Sequence, residues 1–295
     1  MGLGSIGRRH AQVLTKLNLD VATYSQFPMT NTPNFKLIQD AMTNWEPKYI
    51  VVSNPTHLHE KTLDTLMDLN FTSRLLIEKP LAVSLQSTIK AKSKFSRVGV
   101  GFNLRFSETI QCLRQMLSTR KVLAVEFYYG NLLTNWRSTE YFSYSLEKDK
   151  GGGVLRDFSH ELDLSYFLFG ESTVEYVAGG RIGKVTKDSD DFWRISLKSK
   201  AGFDIAIGIN SLDTQPKREI RVLTSTGTLL VDLLKSTVAG DGKVMHFPEN
   251  LNSSYFSMHG NMIGDIPGDM ATLDSAIKTD ELIEEIENWR ARNGA

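Results

Sequence analysis

Four short apolar runs, LDVATY, KYIVVSN, RLLIEKP and RVGVGFN, punctuate the first hundred residues, and a helix-patterned stretch precedes each of them. Helices of about 10–14 residues between short strands rule out hairpin returns. They mark a parallel sheet with crossover helices, an α/β fold. The rhythm changes near Asn103. A helix from about Phe106 to Leu117 leads into the strand KVLAVEFYYGN, then an irregular stretch, then a helix from about Leu155 to Phe169. The runs VEYVAGGR, DFWRISLKS, FDIAIGIN, REIRVLTS and GTLLVDLL follow with short turns such as Lys200-Ala201-Gly202, which predicts an antiparallel sheet. A helix from Thr272 to Arg290 ends the pattern. The boundary between the two halves falls at residues 103–105.

The opening MGLGSIGRRH carries Gly2, Gly4 and Gly7 in G-x-G-x-x-G spacing just before the first helix. Such glycines serve a tight turn, close approach of backbone to a pyrophosphate, and close helix packing, with the phosphates at the helix N-terminus. Gly2, Gly4, Ser5, Ile6, Gly7 and Arg8 are the candidate loop residues. The motif ordinarily follows a strand, and here only Met1 precedes it. A sheet without that strand would leave buried backbone groups unpaired at about 1–3 kcal/mol each, against a total stability of roughly 5–15 kcal/mol. The expectation is that residues upstream of Met1 complete the domain, or that a chain starting there folds poorly or binds dinucleotide weakly.

The next strand ends ATYSQ. An NAD site usually places Asp or Glu about 20 residues past the glycines, for the ribose 2′-hydroxyl. Ser25 stands near that spacing and no acid follows it. A carboxylate would repel a 2′-phosphate and Ser25 would not, so the cofactor reading leans toward NADP, or toward use of both NADP and NAD. Ser25 as a plain turn residue is the competing reading. SNPTHLH puts Asn54, Pro55 and Thr56 at the carboxyl end of a strand, where open α/β sheets bind ligands. His57 and His59 lie near, but at i and i+2 they share no helical face, and no metal site is expected.

RLLIEKP ends in Glu78 and Lys79. A lysine at that edge can hydrogen-bond a substrate hydroxyl and favour its developing alkoxide; otherwise it is a solvated surface lysine. In GGGVLRDFSHELD, Asp157, His160 and Asp163 are spaced by three and share a face of the expected helix. A histidine between carboxylates suits general acid–base work. The same set also reads as a cap and salt-bridge cluster.

At 295 residues and 41% hydrophobic, the chain suits two domains with buried cores. Lys plus Arg and Asp plus Glu number 34 each, so no basic excess points to nucleic acid. No apolar run reaches the roughly 18 residues of a spanning helix and no secretory core opens the chain, so no membrane partner is expected. Cys112 stands alone in a helical stretch and reads as a structural thiol, which fits a reducing, cytoplasmic setting.

In order, GLGSIGRRH, SNPTHLH, EKPLAV, GFNLRF, GGGVLRDFSHELD and the acidic pair in DSDDF resemble the Gfo/Idh/MocA family, the relatives of glucose–fructose oxidoreductase and inositol dehydrogenase. The resemblance covers nearly the whole chain. It implies an N-terminal Rossmann dinucleotide-binding domain over residues 1–104 and a C-terminal α/β domain over 105–271, built on a large, mainly antiparallel sheet. The last helix, 272–290, would pack back on the first domain. Lys79 matches the family's catalytic lysine, and His160 its catalytic histidine. Asp157 stands three residues before His160, where many members have an interval of four. Asp163 matches an orienting acid. Asn103, Trp136, Arg137 and Arg156 look like pocket residues, the two arginines for an anionic substrate group. Glu78 and His59 join the cofactor set.

The implied reaction is reversible hydride transfer between a nicotinamide and a carbinol carbon of a sugar or cyclitol. His160 takes the hydroxyl proton, Lys79 steadies the oxygen, and no metal is needed. The pattern looks most like members linked to bacterial surface-sugar or nonulosonate pathways, working as homodimers or homotetramers. Two alternatives stand beside it. One is an enzyme that keeps its cofactor bound for a net non-redox reaction, such as glycoside cleavage or epimerisation. The other is a non-catalytic sensor of dinucleotide or sugar, against which the presence of both Lys79 and His160 speaks.

Overall fold

The computed structural model describes residues 1–82, 84–136, 145–148, 151–184, 186–248, 252–264 and 269–294. The chain divides into two compact units, Met1–Phe106 with Asn252–Ile277, and Ser107–Leu251 with Lys278–Ala295.

In the first unit α1 (Ser5–Lys16), β1 (Thr23–Tyr24), β2 (Asn34–Phe35), α2 (Ile38–Trp45), β3 (Tyr49–Val52), α3 (His59–Asp68), β4 (Arg74–Ile77), α4 (Leu85–Lys94) and β5 (Arg97–Val100) follow in the expected alternation. β3, β4 and β5 form one parallel sheet, and β1 and β2 a separate parallel pair. Helices cover both faces of the three-stranded sheet, which is why β3 and β4 read as unbroken apolar runs. On one face Ile50, Val52, Leu75 and Ile77 pack with Leu63 and Leu66 of α3 and Ala91 of α4. On the other, Val51 and Leu76 pack with Val13 of α1 and with Tyr255, Met258 and Met262. These last three belong to a helix, Ser253–Gly264, that returns to the first unit from far along the chain.

The second unit carries α5 (Glu108–Leu117) and eight strands: β6 (Val122–Gly130), β7 (Ser172–Gly180), β8 (Phe192–Ser199), β9 (Asp204–Asn210), β10 (Lys217–Thr224), β11 (Gly227–Asp232), β12 (Thr237–Gly240) and β13 (Lys243–His246). They form one sheet in the order β13-β12-β11-β10-β6-β9-β8-β7. Only β6 and β9 pair parallel, so the sheet is mainly antiparallel as expected. Alternate residues turn inward, as in Trp193, Ile195 and Leu197 of β8 and Ile205, Ile207 and Ile209 of β9. α5 and the helix His160–Phe169 pack on this sheet.

Two expectations need correction. The stretch 155–169 is not one helix: Val154–Asp157 and His160–Phe169 are separate, with Phe158 and Ser159 between them. The terminal helix, Leu273–Asn293, belongs to the first unit only over its first turn, where Leu273 and Ala276 join the core. From Lys278 onward it is part of the second unit. There Glu287 binds Arg156, Trp289 meets Tyr176 edge-on, and the Arg290 guanidinium lies 5.5 Å from the centre of the Trp193 ring.

Candidate functional site

The glycine loop is built on close backbone contacts. Gly2 sits at φ +87° and donates its N–H to the Tyr24 carbonyl at 3.0 Å. A Cβ on Gly2 would lie 2.7 Å from the Asn54 nitrogen. A Cβ on Gly7 would lie 2.0 Å from the Gly2 carbonyl oxygen. The first glycine therefore lets the loop touch the end of β3, and the third lets α1 close down on the loop. Gly4 is the N-cap of α1, extended at φ −65° and ψ −172°, and Arg8 donates its N–H to the Gly4 carbonyl at 3.0 Å. The first N–H groups of α1, from Ser5 and Ile6 onward, have no acceptor within the helix, which is the arrangement that receives a phosphate. A glycine loop closed tightly onto β3 and α1, with free N–H groups at the helix start, fits a pyrophosphate.

The neighbouring segments brace this loop. The Ser53 hydroxyl donates to the Gly2 carbonyl at 3.0 Å. Asn54 donates its amide to the Thr62 hydroxyl at 2.8 Å, and Pro55 caps the short turn Thr56–Leu58. His59 is buried, with Nε2 3.0 Å from the Asn54 carbonyl and Nδ1 3.2 Å from the Leu81 carbonyl. Burial holds its pKa below the ordinary value. His59 thus ties the SNPTHLH segment to the residues after Lys79-Pro80. Ser25 accepts the Phe27 N–H on its hydroxyl at 3.1 Å, so its side chain closes a turn.

At the end of β4 the Glu78 carboxylate is buried in a hydrogen-bonded row that sequence reasoning missed. Glu78 Oε1 is 2.8 Å from His10 Nε2, His10 Nδ1 is 2.8 Å from His259 Nε2, and His259 Nδ1 is 2.9 Å from the Tyr49 hydroxyl. A carboxylate only accepts, so His10 Nε2 donates to it. With both imidazoles neutral, every proton then points one way: Tyr49 to His259, His259 to His10, His10 to Glu78. Burial, then the neighbouring His10, pushes the His259 pKa down to about 3. Burial, then the Glu78 charge, lifts the Tyr49 phenol well above its usual value. The two shifts keep His259 and Tyr49 uncharged, as this direction of donation requires of them. The other Glu78 oxygen accepts the Lys79 N–H at 3.2 Å, and a Cβ on Gly101 would lie 2.5 Å from Glu78 Oε1. Lys79 itself is half-buried. Asn103, expected in the pocket, is buried and donates its amide to the Ser254 hydroxyl at 2.8 Å.

In the second unit the GGG entry is held by Asp190. Gly153 sits at φ +115°, and a Cβ there would lie 2.1 Å from Asp190 Oδ1. Asp190 Oδ2 accepts from the Leu155 N–H at 2.8 Å and from Trp193 Nε1 at 2.7 Å. Burial pushes this carboxyl's pKa up. His160 opens the second helix and is half-buried. Its flanks are fixed: Phe158 stacks on Tyr129 with ring centres 4.0 Å apart, and Glu161 pairs with Arg218 at 2.7 Å. Asp163 is buried one turn along.

Asp157 ends the preceding short helix, so the shared helical face with His160 expected from the spacing does not exist. Arg156, expected to meet an anionic substrate group, is bound by both Glu287 oxygens, at 2.6 and 3.0 Å. Trp136 closes the short helix Leu133–Trp136; its side chain, and Arg137 altogether, lie outside the described residues. Among the described residues no cluster of metal-ligating side chains occurs, and no helix is long and apolar enough to cross a membrane.

No family model matches the chain. Among curated proteins it is similar to 2,7-anhydro-N-acetylneuraminate hydratase from Mediterraneibacter gnavus, 22% identical over 209 residues covering 67% of this chain and 55% of that protein. The enzyme of that name from Escherichia coli is 22% identical over 241 residues, covering 75% of this chain and 62% of its own. The chain thus spans somewhat over half the length of these relatives. Among solved structures, GenD2 from gentamicin A biosynthesis, in complex with NAD, superposes with a TM-score of 0.82 at 18% identity, covering 100% of this chain and 93% of its own. The WlbA dehydrogenase from Bordetella pertussis, with NADH and UDP-GlcNAcA, gives a TM-score of 0.80 at 16% identity, covering 100% and 94%. The fold is that of these two structures, a Rossmann-type unit and one built on a large, mostly antiparallel sheet, as the Gfo/Idh/MocA resemblance implies.

Proposed function

We propose that this chain is an NAD(P)-dependent oxidoreductase of the Gfo/Idh/MocA type, moving a hydride between a nicotinamide and a carbinol carbon of a sugar, cyclitol or sugar derivative. The observation that carries the reading is the loop from Gly2 to Gly7. Its glycines let the loop close on the end of β3 and α1 close on the loop, and the first N–H groups of α1 are left for a phosphate. When bound, a nicotinamide would supply the hydride acceptor or donor.

The chain's own residues do the rest. His160 exchanges the proton of the substrate hydroxyl, a role suited to an imidazole near neutral pH. The Lys79 ammonium steadies the oxygen as charge develops on it. Glu78, held by His10 and by the Lys79 N–H, fixes the corner from which Lys79 projects. Asp163 orients His160. Asp157 and Asn103 support the two segments rather than meet the proton. The absence of an acid after Tyr24 favours NADP or both cofactors over strict NAD.

The substrate class is a sugar derivative of the kind found in bacterial surface polysaccharides or nonulosonates. UDP-GlcNAcA in the Bordetella pertussis structure and the anhydro-neuraminate substrate named for the curated relatives support that choice. The open sheet, one face of which exposes Leu223, Leu230 and Val244, supports assembly as a homodimer or homotetramer.

Fluorescence titration with NADH and NADPH, followed by a sugar and nucleotide-sugar panel, tests the reading. Lys79→Met and His160→Ala should each lower kcat by about 10²- to 10⁴-fold while cofactor affinity is kept. Unchanged turnover in both variants overturns the mechanism. Product formed without net change in nicotinamide oxidation state selects the bound-cofactor, non-redox alternative.

A further inference from the structure

His160 opens its helix without the usual cap. Ser159 stands at the N-cap position and is buried, yet its hydroxyl makes no capping bond to the first turn. A helix start is ordinarily fixed by such a bond. Here side chains of the large sheet take its place.

Phe158 and Glu161 flank the histidine. The Glu161 N–H donates to the Phe158 carbonyl at 3.2 Å, so the chain from Phe158 to Glu161 makes one tight turn with Ser159 and His160 inside it. Tyr129 of β6 and Arg218 of β10 stand directly opposite each other in the antiparallel ladder. β6 lies between β10 and β9, and β10 between β11 and β6, so neither residue is on a sheet edge.

The side chains close a ring around the turn. Phe158 stacks on Tyr129, with ring centres 4.0 Å apart and planes 29° apart. The Arg218 guanidinium carbon lies 4.2 Å from the centre of the same Tyr129 ring. Two groups of that size so close to one ring centre must take its opposite faces, so Tyr129 is held between Phe158 and Arg218. Arg218 Nε donates to Glu161 Oε1 at 2.7 Å. Glu161 then leads back to Phe158 through the main chain. Phe158 and Glu161 are each 2% exposed, so water screens these attractions little.

This ring requires arginine in particular. A planar guanidinium can lie flat on an aromatic face while an N–H at its edge reaches a carboxylate. An ammonium supplies charge but no plane. Neutralising Glu161 would need the charge alone.

We propose that Arg218 is a positioning residue for His160: through the Tyr129–Phe158 stack on one side and Glu161 on the other, it fixes the turn that carries the imidazole. The inference rests on the reading of His160 as the group that exchanges the substrate proton. That exchange needs the ring within hydrogen-bond reach of the hydroxyl.

Two variants of the full-length chain test it. Arg218→Lys keeps a charge beside Glu161 and loses the plane. Arg218→Met combined with Glu161→Leu removes the pair without leaving a buried charge behind. Arg221→Lys, at an exposed arginine of β10, is the control. Both ring variants should lower kcat by about 10- to 100-fold, the loss expected of a misplacement near 1 Å. KM for the sugar and NADH affinity should stay within about twofold. The imidazole is read separately by NMR of chains with isotope-labelled histidine, the His160 signal being identified by its loss in His160→Ala. That signal should move or broaden in both variants, while those of His10, His59 and His259 in the first unit stay in place. Arg221→Lys should change neither readout. A His160 signal unmoved in both variants overturns the proposal, whatever the turnover. So does parental kcat in Arg218→Lys, since charge alone then suffices. If the parent turns over no sugar, the proton-exchange reading fails, and the His160 signal still decides whether Arg218 holds the turn.

Discussion

Gly7→Ala isolates the contact on which the dinucleotide loop depends. The added methyl carbon would start 2.0 Å from the Gly2 carbonyl oxygen, and the obstacle is backbone that no rotamer change can move aside. Ordinary contact needs roughly 3.5 Å, so α1 and the loop must separate by more than about 1 Å. Overpacking of this kind costs about 1–3 kcal/mol. Each kcal/mol lowers Tm by roughly 2–4 °C in a domain of 150–250 residues. The same displacement pulls the first helical N–H groups off the phosphates, and a misplacement of about 1 Å costs around a hundredfold in a positioned interaction. NADH binding, followed by fluorescence, should therefore weaken by about 10- to 100-fold. Gly260→Ala is the control. It lies in the helix Ser253–Gly264 with nothing within 4 Å of an added Cβ, and should leave binding unchanged and raise stability slightly. If Gly7→Ala binds NADH as tightly as the parent, the loop is not the phosphate site and the argument from glycine spacing fails.

Three further outcomes follow from the buried network and the Arg156–Glu287 pair. Tyr49→Phe removes the donor to His259 Nδ1 and should cost about 1–3 kcal/mol in denaturant unfolding; no loss would show that the row is not a chain of hydrogen bonds. His259 has a folded pKa of about 3 against an ordinary 6.5. The unfolded chain therefore takes up a proton that the folded chain refuses between those values. Stability from this group is complete above pH 6.5 and falls as the pH drops toward 3, by up to about 1.4 kcal/mol per unit. Unfolding midpoints across that window should show a shallower slope in His259→Asn than in the parent, and equal slopes would refute the assignment. Arg156→Ala should destabilise the second unit by about 1–3 kcal/mol, because Glu287 loses its partner. It should leave KM for the sugar within about twofold, and a large rise in KM would restore the substrate role.

What the sequence disclosed and what it hid separate along physical lines. β3 and β4 were legible because burial on both faces forces unbroken apolar runs such as YIVV and RLLI. The loop was legible because close backbone approach demands glycine at Gly2 and Gly7. The helix Ser253–Gly264 was not, since its role depends on returning to α1 and β4 across most of the chain. The row from Tyr49 through His259 and His10 to Glu78 was hidden likewise, its two histidines lying 249 residues apart. The break between Asp157 and His160 was invisible because VLRDFSHELD carries helical spacing throughout. It arises from outside, where Asp190 grips the first turn and Tyr129 holds Phe158. β12 and β13 are four-residue strands too short for a periodic signal.

Hydride transfer is the central claim, and isotope transfer reads it most directly. The enzyme is mixed with oxidised cofactor and sugars or nucleotide sugars carrying deuterium at successive carbinol carbons, and the recovered cofactor is weighed by mass spectrometry. The account predicts deuterium on the nicotinamide ring from one labelled position of a sugar substrate, with transfer abolished in His160→Ala. Sugar converted to product while the cofactor stays free of deuterium from every labelled position would contradict it.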